Sequence, residues 1–234
     1  NKPKVAVILS GSGVYDGSEI QESVLSLLAL DMAGASSHCF APDKLQHHVV
    51  NHLDGSEMNE KRNVLIESAR ISRGEIESLS SLNSSNFDGL LLPGGFGAAK
   101  NLSQWAFEGS QGTIDPLVEK TIIDFHAQGK PIAALCMGPT LIAKALSKLN
   151  LGQNLTVGST HSPSPYNIGE INDEMEKLGA KSQMATAEEV IIDSKNKLVT
   201  TPCYMMEAGL AEINLGISKA VNELINLMDR KESR

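Results

Sequence analysis

Gly129-Lys130-Pro131-Ile132-Ala133-Ala134-Leu135-Cys136-Met137-Gly138-Pro139 is the stretch that decides the fold of this chain. A Gly-Lys-Pro turn opens an apolar run with no polar alternation, which reads as a strand buried on both faces of a parallel sheet. Cys136 follows at once, and Met137-Gly138-Pro139 leads into a helix predicted over about residues 139–146. A strand that breaks straight into a helix lifts the residue at the break above the sheet edge, the plan of a nucleophile elbow, and predicts a positive φ at Cys136. The helix start also sets backbone N–H groups and the positive end of the helix dipole beside the sulfur, so a lowered thiol pKa is expected. A plain core cysteine at a strand end uses the same residue type. The small residues around Cys136 and the Gly-Pro pair favour the elbow.

The pattern repeats outward from this point. Residues 5–9 form another buried apolar run, followed by a helix that Ser18 can cap and Gly34 closes. A strand over 37–41, a short strand over 48–53 and a helix over 59–73 come next. The Ser- and Asn-rich residues 79–86 read as a short helix or loop. Residues 89–92 form a strand that breaks at Pro93-Gly94-Gly95, and residues 116–128 a helix with Pro116 near its start. Beyond the elbow lie a strand over 155–157, a helix over 168–178, a hairpin of 190–192 with 197–200, and a helix over 208–228. Alternating strands and helices predict an α/β three-layer sandwich, a mainly parallel sheet with helices on both faces. There is no repeat, and no linker long enough to divide residues 1–234, so a single domain is expected.

Lys plus Arg total 20 against 28 Asp plus Glu, a formal charge of −8. Such a chain gains nothing from phosphate attraction, so no nucleic-acid partner is expected. No stretch is apolar enough to span a bilayer, so no membrane partner is expected. Residues 5–9 are too short for a signal-peptide core, although the missing initiator Met leaves room for upstream residues. Cys39, Cys136 and Cys203 are odd in number and widely spaced, which is neither a disulfide framework nor a zinc pattern. A reducing, cytoplasmic location is expected on that ground, with no metal.

Two further segments bear on chemistry. Leu92-Pro93-Gly94-Gly95-Phe96-Gly97 follows a buried strand, and its N–H groups can form an oxyanion hole facing Cys136. An ordinary glycine-rich turn would read the same way. The spacing matches neither dinucleotide nor P-loop patterns. Gly11-Ser12-Gly13-Val14-Tyr15-Asp16-Gly17-Ser18 opens a helix whose start carries Glu19 and Glu22, three apart on one face. Loops after parallel strands share one edge, so either carboxyl can meet Cys136 and move a proton. Acids at a helix start also arise for dipole reasons alone. His161 follows a predicted strand and is a candidate base, though a loop histidine is more often solvated. His47, His48 and His52 read as surface residues and Cys39 as core. Cys203 reads as structural or at the site edge, and Trp105 and Phe107 as loop packing.

Val7-Ile8-Leu9-Ser10-Gly11-Ser12-Gly13-Val14-Tyr15-Asp16-Gly17-Ser18-Glu19-Ile20, Cys39-Phe40-Ala41-Pro42-Asp43, Asn63-Val64-Leu65-Ile66-Glu67-Ser68-Ala69-Arg70, Pro93-Gly94-Gly95-Phe96-Gly97-Ala98-Ala99-Lys100-Asn101-Leu102 and Val199-Thr200-Thr201-Pro202 together resemble the PfpI/ThiJ superfamily. Within it they resemble the ElbB family, the enhancing lycopene biosynthesis proteins and their mitochondrial relatives. The resemblance implies a flavodoxin-like, class I glutamine amidotransferase-like fold. It implies Cys136 as nucleophile with the N–H groups of Gly94, Gly95 and Met137 around it. The helix-one glutamate falls on Glu22, counting back from Gly34, with Glu19 left open. His161 resembles a histidine at a position where relatives vary. No late His-x-Glu pair is present, which argues against glutamine hydrolysis. The implied activity is glyoxalase-type: a cofactor-independent, cysteine-dependent lyase or hydratase that turns a small aldehyde or dicarbonyl into a hydroxy acid, in a homodimer. The alternatives are a redox-sensing or regulatory protein with an oxidisable Cys136 and an isoprenoid-pathway association, and an amidase or chaperone-like partner of another protein.

Overall fold

The computed structural model describes residues 1–229. Among the described residues nine strands form in chain order: β1 (Lys4–Ile8), β2 (Ser36–Ala41), β3 (Ile76–Ser78), β4 (Gly89–Leu92), β5 (Ile132–Leu135), β6 (Asn154–Gly158), β7 (Lys181–Met184), β8 (Ile191–Asp193) and β9 (Leu198–Thr201). The helices are α1 (Ile20–Met32), α2 (Val64–Ser68), α3 (Phe96–Lys100), α4 (Trp105–Glu108), α5 (Pro116–Ala127), α6 (Gly138–Ala145), α7 (Ile168–Lys177) and α8 (Leu210–Asp229). Seven strands make one sheet in the order β3-β2-β1-β4-β5-β9-β8, parallel except for the antiparallel β8–β9 hairpin. Helices cover both faces, giving the expected flavodoxin-like, amidotransferase-like sandwich. On one side α8 lies across β4, β5 and β9 and packs on α1, and α5 and α6 form the other group. Among the described residues no helix is long and apolar enough to cross a membrane.

The central strands β4 and β5 are fully buried along their length, and β1 from its second residue on. That burial is why they read as apolar runs without alternation. Leu91 pairs with both Val7 and Ala133, so β1, β4 and β5 end almost level. The chain steps from β1 outward to β2 and β3, then returns to β4 on the other side of β1. The crevice beyond the carboxyl ends of β1, β4 and β5 is therefore the place where a fold of this kind binds a ligand.

Four expected elements differ. The short strand expected over 48–53 does not form, and Val50 makes only an isolated bridge with Glu57. Glu19, not Ser18, caps α1: its carboxylate accepts the Glu22 N–H at 2.6 Å. The Ser18 hydroxyl instead accepts the Ser10 N–H at 2.8 Å. The helix expected over 59–73 shrinks to α2 because Asn63 pairs with Leu45 in an isolated bridge and then caps the helix, accepting the Ile66 N–H at 3.0 Å. β6 leaves the main sheet and pairs with β7, which carries no apolar alternation to announce it.

Asn101, at the end of α3, locks the first loop in place. Its amide donates to the carbonyls of Ser10 and Asp16 at 2.8 and 2.9 Å, and its oxygen accepts the His47 N–H at 2.8 Å. Asn101 is 3% exposed, so its loss leaves those groups unpaired away from water. Asn101→Ala is expected to cost about 2–4 kcal/mol in urea denaturation, and Asn101→Asp no less, since both carbonyls need a donor. An Asp variant as stable as the parent would show that the loop is held by other contacts.

Candidate active site

Cys136 ends β5 with φ of 56°, its N–H donating to the Thr201 carbonyl at 3.0 Å. The elbow expectation holds: the backbone sits in the left-handed region, and α6 begins two residues later with no side-chain cap on its first N–H groups. The N–H groups of Gly95 and Met137 lie near enough to the sulfur to favour its charged form. Gly94 is a position only glycine fits. A Cβ there would lie 2.2 Å from the Cys136 Cβ, 2.8 Å from Sγ and 2.7 Å from Glu22 Oε1. Gly95, with φ of 99°, has Glu19 N and Gly17 O at 2.4 Å from the same imagined carbon.

Glu22 projects from the first turn of α1 and is fully buried against Cys136. Its carboxyl lies beside the thiol, both crowding the Gly94 position, and accepts the N–H groups of Gly94 at 3.1 Å and Tyr204 at 3.4 Å. The N–H of Gly94, expected in an oxyanion hole, is thus spent on Glu22, and those of Gly95 and Met137 remain. Burial, then the charge of Glu19, pushes Glu22 up to about 8. The expected lowering of the Cys136 pKa is corrected. Burial and the neighbouring Glu22 charge raise it well above the ordinary thiol range, outweighing the hydrogen bonds from Gly95 and Met137. The pair therefore holds at most one negative charge near neutral pH, and its two protons come off as a coupled unit.

The other candidates separate. Glu19 is nearly buried, and its carboxylate is committed to the α1 cap. Burial raises its pKa against the hydrogen bonds it accepts. His161 is exposed and lies outside the cavity, its N–H donating to Ser159 Oγ at 3.0 Å. The histidine follows a strand as expected, but that strand, β6, lies outside the seven-stranded sheet. The returning loop brings Tyr166 over the site instead, edge-on to Phe96 at 5.8 Å. Burial and then the charges of Cys136 and Glu22 push that phenol up to about 12, so it keeps its proton. Cys203 follows β9 beside Cys136, fully buried with φ of 49°, and burial raises it well above the thiol range. Cys39 lies in the core on β2 and is pushed up to about 11 by burial. Trp105 and Phe107 do not simply pack a loop: with Phe96, Tyr166 and Cys136 they line a cavity of 470 Å³. α4 spans four residues, too few for periodicity to reveal which way they face.

The family profile described as DJ-1/PfpI matches residues 75–202. The chain belongs to the DJ-1/PfpI family. It is 42% identical to the mitochondrial ES1 protein homolog of Rattus norvegicus over 97% of this chain and 84% of that protein. It is equally similar to the mitochondrial glutamine amidotransferase-like class 1 domain-containing protein 3 of Homo sapiens, over 96% and 83%. Among solved structures it is similar to an isoprenoid biosynthesis protein with amidotransferase-like domain from Ehrlichia chaffeensis, with TM-score 0.87 and 32% identity over 97% of this chain and all of that one. Drosophila melanogaster DJ-1beta, at 16% identity and TM-score 0.54 over 97% and 96%, shares the fold alone. The expected cytoplasmic location is overturned, because the curated relatives are named mitochondrial proteins. Free thiols argue for a reducing compartment, and the cytosol is only one of these.

Two outcomes follow from the buried pair. Limited iodoacetamide treatment near neutral pH, read by peptide mapping, should modify Cys136 first, since it alone of the three thiols reaches the cavity. First labelling at Cys39 or Cys203 would refute the elbow. Between the ordinary glutamate range and about pH 8 the folded chain keeps a Glu22 proton that the unfolded chain releases. Folding is thus weakened as pH rises through that window. Glu22→Gln mimics the protonated acid, so its stability relative to the parent should increase from about pH 5 to about pH 9 in urea denaturation. A flat difference would mean that Glu22 ionises normally.

Proposed function

We propose that this chain is a cysteine-dependent enzyme that converts a small dicarbonyl, an α-oxoaldehyde, into a 2-hydroxy acid without a cofactor. The observation that carries the reading is Cys136 at the wall of the cavity with the buried carboxyl of Glu22 directly behind it and two backbone N–H groups beside the sulfur. The DJ-1/PfpI family includes enzymes, glyoxalases and proteases among them.

The steps balance within this set of residues. The Glu22 carboxylate takes the thiol proton as sulfur attacks the aldehyde carbon, and that proton passes to the former aldehyde oxygen, giving a hemithioacetal. The N–H groups of Gly95 and Met137 steady the oxygen while it carries charge. Glu22 then removes the hydrogen from the carbon bonded to sulfur, giving an enediol as the neighbouring carbonyl oxygen takes up the hydroxyl proton of the hemithioacetal, and returns its proton to the neighbouring carbon, leaving a thioester of a hydroxy acid. Water cleaves the thioester, and hydroxy acid and free Cys136 leave. One water is added overall and no electrons are exchanged. A carboxyl poised near 8 suits a group that must both take and give this proton near neutral pH.

The redox-sensing alternative draws less support. A thiol that is 5% exposed and held protonated by burial reacts slowly with peroxide.

The kcat/KM for methylglyoxal should rise with pH along a limb centred near 8, reflecting ionisation of Glu22 in the free enzyme. Cys136→Ser should abolish turnover, and Glu22→Gln should lower it roughly 100-fold and remove the limb. His161→Ala should stay within about threefold of the parent, as an exposed residue away from the reaction. A silent Glu22→Gln, or hydroxy acid formed equally by Cys136→Ser, would sink the mechanism.

A further inference from the structure

Glyoxal has four heavy atoms, and the cavity beside Cys136 measures 470 Å³, within the range of about 300–1,000 Å³ typical of pockets for much larger ligands. Its walls are aromatic: Phe96, Trp105, Phe107, Tyr166 and Tyr204 face it together with Met205. Aromatics make up only 4% of the chain, so five at one cavity is a concentration and not the background. Trp105 is 7% exposed and set in the wall, while Phe107 stands at 46% exposure with its ring against His47 at 4.4 Å.

The charges around this wall have one sign. Glu108, Glu170 and Glu174 line the cavity, and among the described residues no Lys, Arg or His does. Glu174 is held ionised: hydrogen bonds from Lys177 and Ser110 draw it down to about 2. Cations nearby are committed elsewhere. Lys177 pairs with Glu174, Lys144 donates to the Ser110 carbonyl at 2.8 Å, and Lys100 donates to the Tyr15 carbonyl at 2.9 Å while lying over the Phe96 ring. An anionic group entering beside the rings would meet the exposed carboxylates of Glu108 and Glu170 with no cation in the lining free to pair with it, since Lys177 is held by Glu174 and Lys100 stands behind the Phe96 ring, a repulsion that solvent reduces but does not remove. An apolar ring would be desolvated against other rings, which is favourable in proportion to the area buried.

We infer that the dicarbonyl this site takes carries a bulky, apolar substituent without negative charge, seated between Trp105, Phe107 and Tyr166, and that carboxylated or phosphorylated dicarbonyls are rejected. The inference rests on the proposed enzyme reading for the reacting group, but the shape and charge of the wall also govern what reaches the thiol.

Alkylation of Cys136 separates the two. Three reagents that form a thioether and release iodide are compared on the parent chain: iodoacetamide, its N-phenyl derivative, and the N-(4-carboxyphenyl) derivative. Each rate is divided by that reagent's rate with free cysteine. The phenyl reagent is expected to exceed iodoacetamide by at least about tenfold, and the carboxyphenyl reagent to fall at least about tenfold below the phenyl one. Phe107→Ala should shrink the phenyl preference by about threefold or more. Glu108→Gln with Glu170→Gln should shrink the penalty on the carboxylate. In turnover, phenylglyoxal should exceed methylglyoxal and 4-carboxyphenylglyoxal in kcat/KM by similar factors. Equal normalised rates for the three reagents, or a faster carboxyphenyl reagent, would overturn the inference even if methylglyoxal is consumed. Preserved labelling preferences with no dicarbonyl consumed would overturn the enzyme reading and support the assignment of the wall.

Discussion

A carboxyl and a thiol buried against each other can hold one negative charge between them but not two, and the site is arranged around that limit. Glu22 arrives from α1, Cys136 from the break between β5 and α6, and the N–H groups that receive them from the ends of β4 and β9. Four segments distant in sequence meet because parallel strands ending level place their following loops on one edge. The approach is so close that Gly94 has no room for a side chain. Any slip in the β4–β5 register would separate the donors from the pair and bury a proton-transfer group without partners.

Holding this arrangement requires backbone strain and polar burial, and both are compensated locally. A non-glycine residue at positive φ costs on the order of 1–3 kcal/mol. At Cys136 the strained residue keeps its N–H bonded to Thr201, as though the sheet continued one residue further. Glu22 is fully buried, yet each carboxyl oxygen accepts a backbone N–H. The glycine-rich loops after β1 and β4 hold each other: Glu19 N–H donates to Gly94 O at 3.0 Å, Phe96 N–H to Val14 O at 2.8 Å and Gly97 N–H to Gly17 O at 2.8 Å. Their function in the fold is thus loop-on-loop docking as much as ligand approach.

The central strands and the elbow were legible in the sequence because their causes are local: unbroken apolar runs, and a helix start directly behind a strand. Gly94 and Gly95 were legible for the same reason. Glu19 and Glu22 could not be ranked, since residues three apart share a face and only the cap geometry shows that Glu19 is committed to the helix start. His161 follows a strand as read, but its distance from the cavity was not legible, because nothing in Leu155-Thr156-Val157 shows that β6 pairs away from the main sheet. The thiol pKa was misjudged in direction. A helix start is visible in sequence, whereas burial sums the atoms of many distant residues. Trp105 and Phe107 were missed as cavity residues because α4 is a single turn.

The pair and the wall answer to different parts of the chain. Glu22 and Cys136 sit on a helix start and a strand end, where geometry is fixed by sheet register and leaves little freedom. The aromatic wall comes from α3, α4 and the segment between β6 and α7, short elements whose changes need not disturb the register. Solved neighbours at 14–18% identity share the fold alone, and what this chain sets over its strand ends is the surface that lines the cavity. In this chain that surface is aromatic and acidic. Its character follows from which rings and carboxylates the short elements present, so the specificity of the site is a property of its least regular segments and its chemistry a property of its most regular ones.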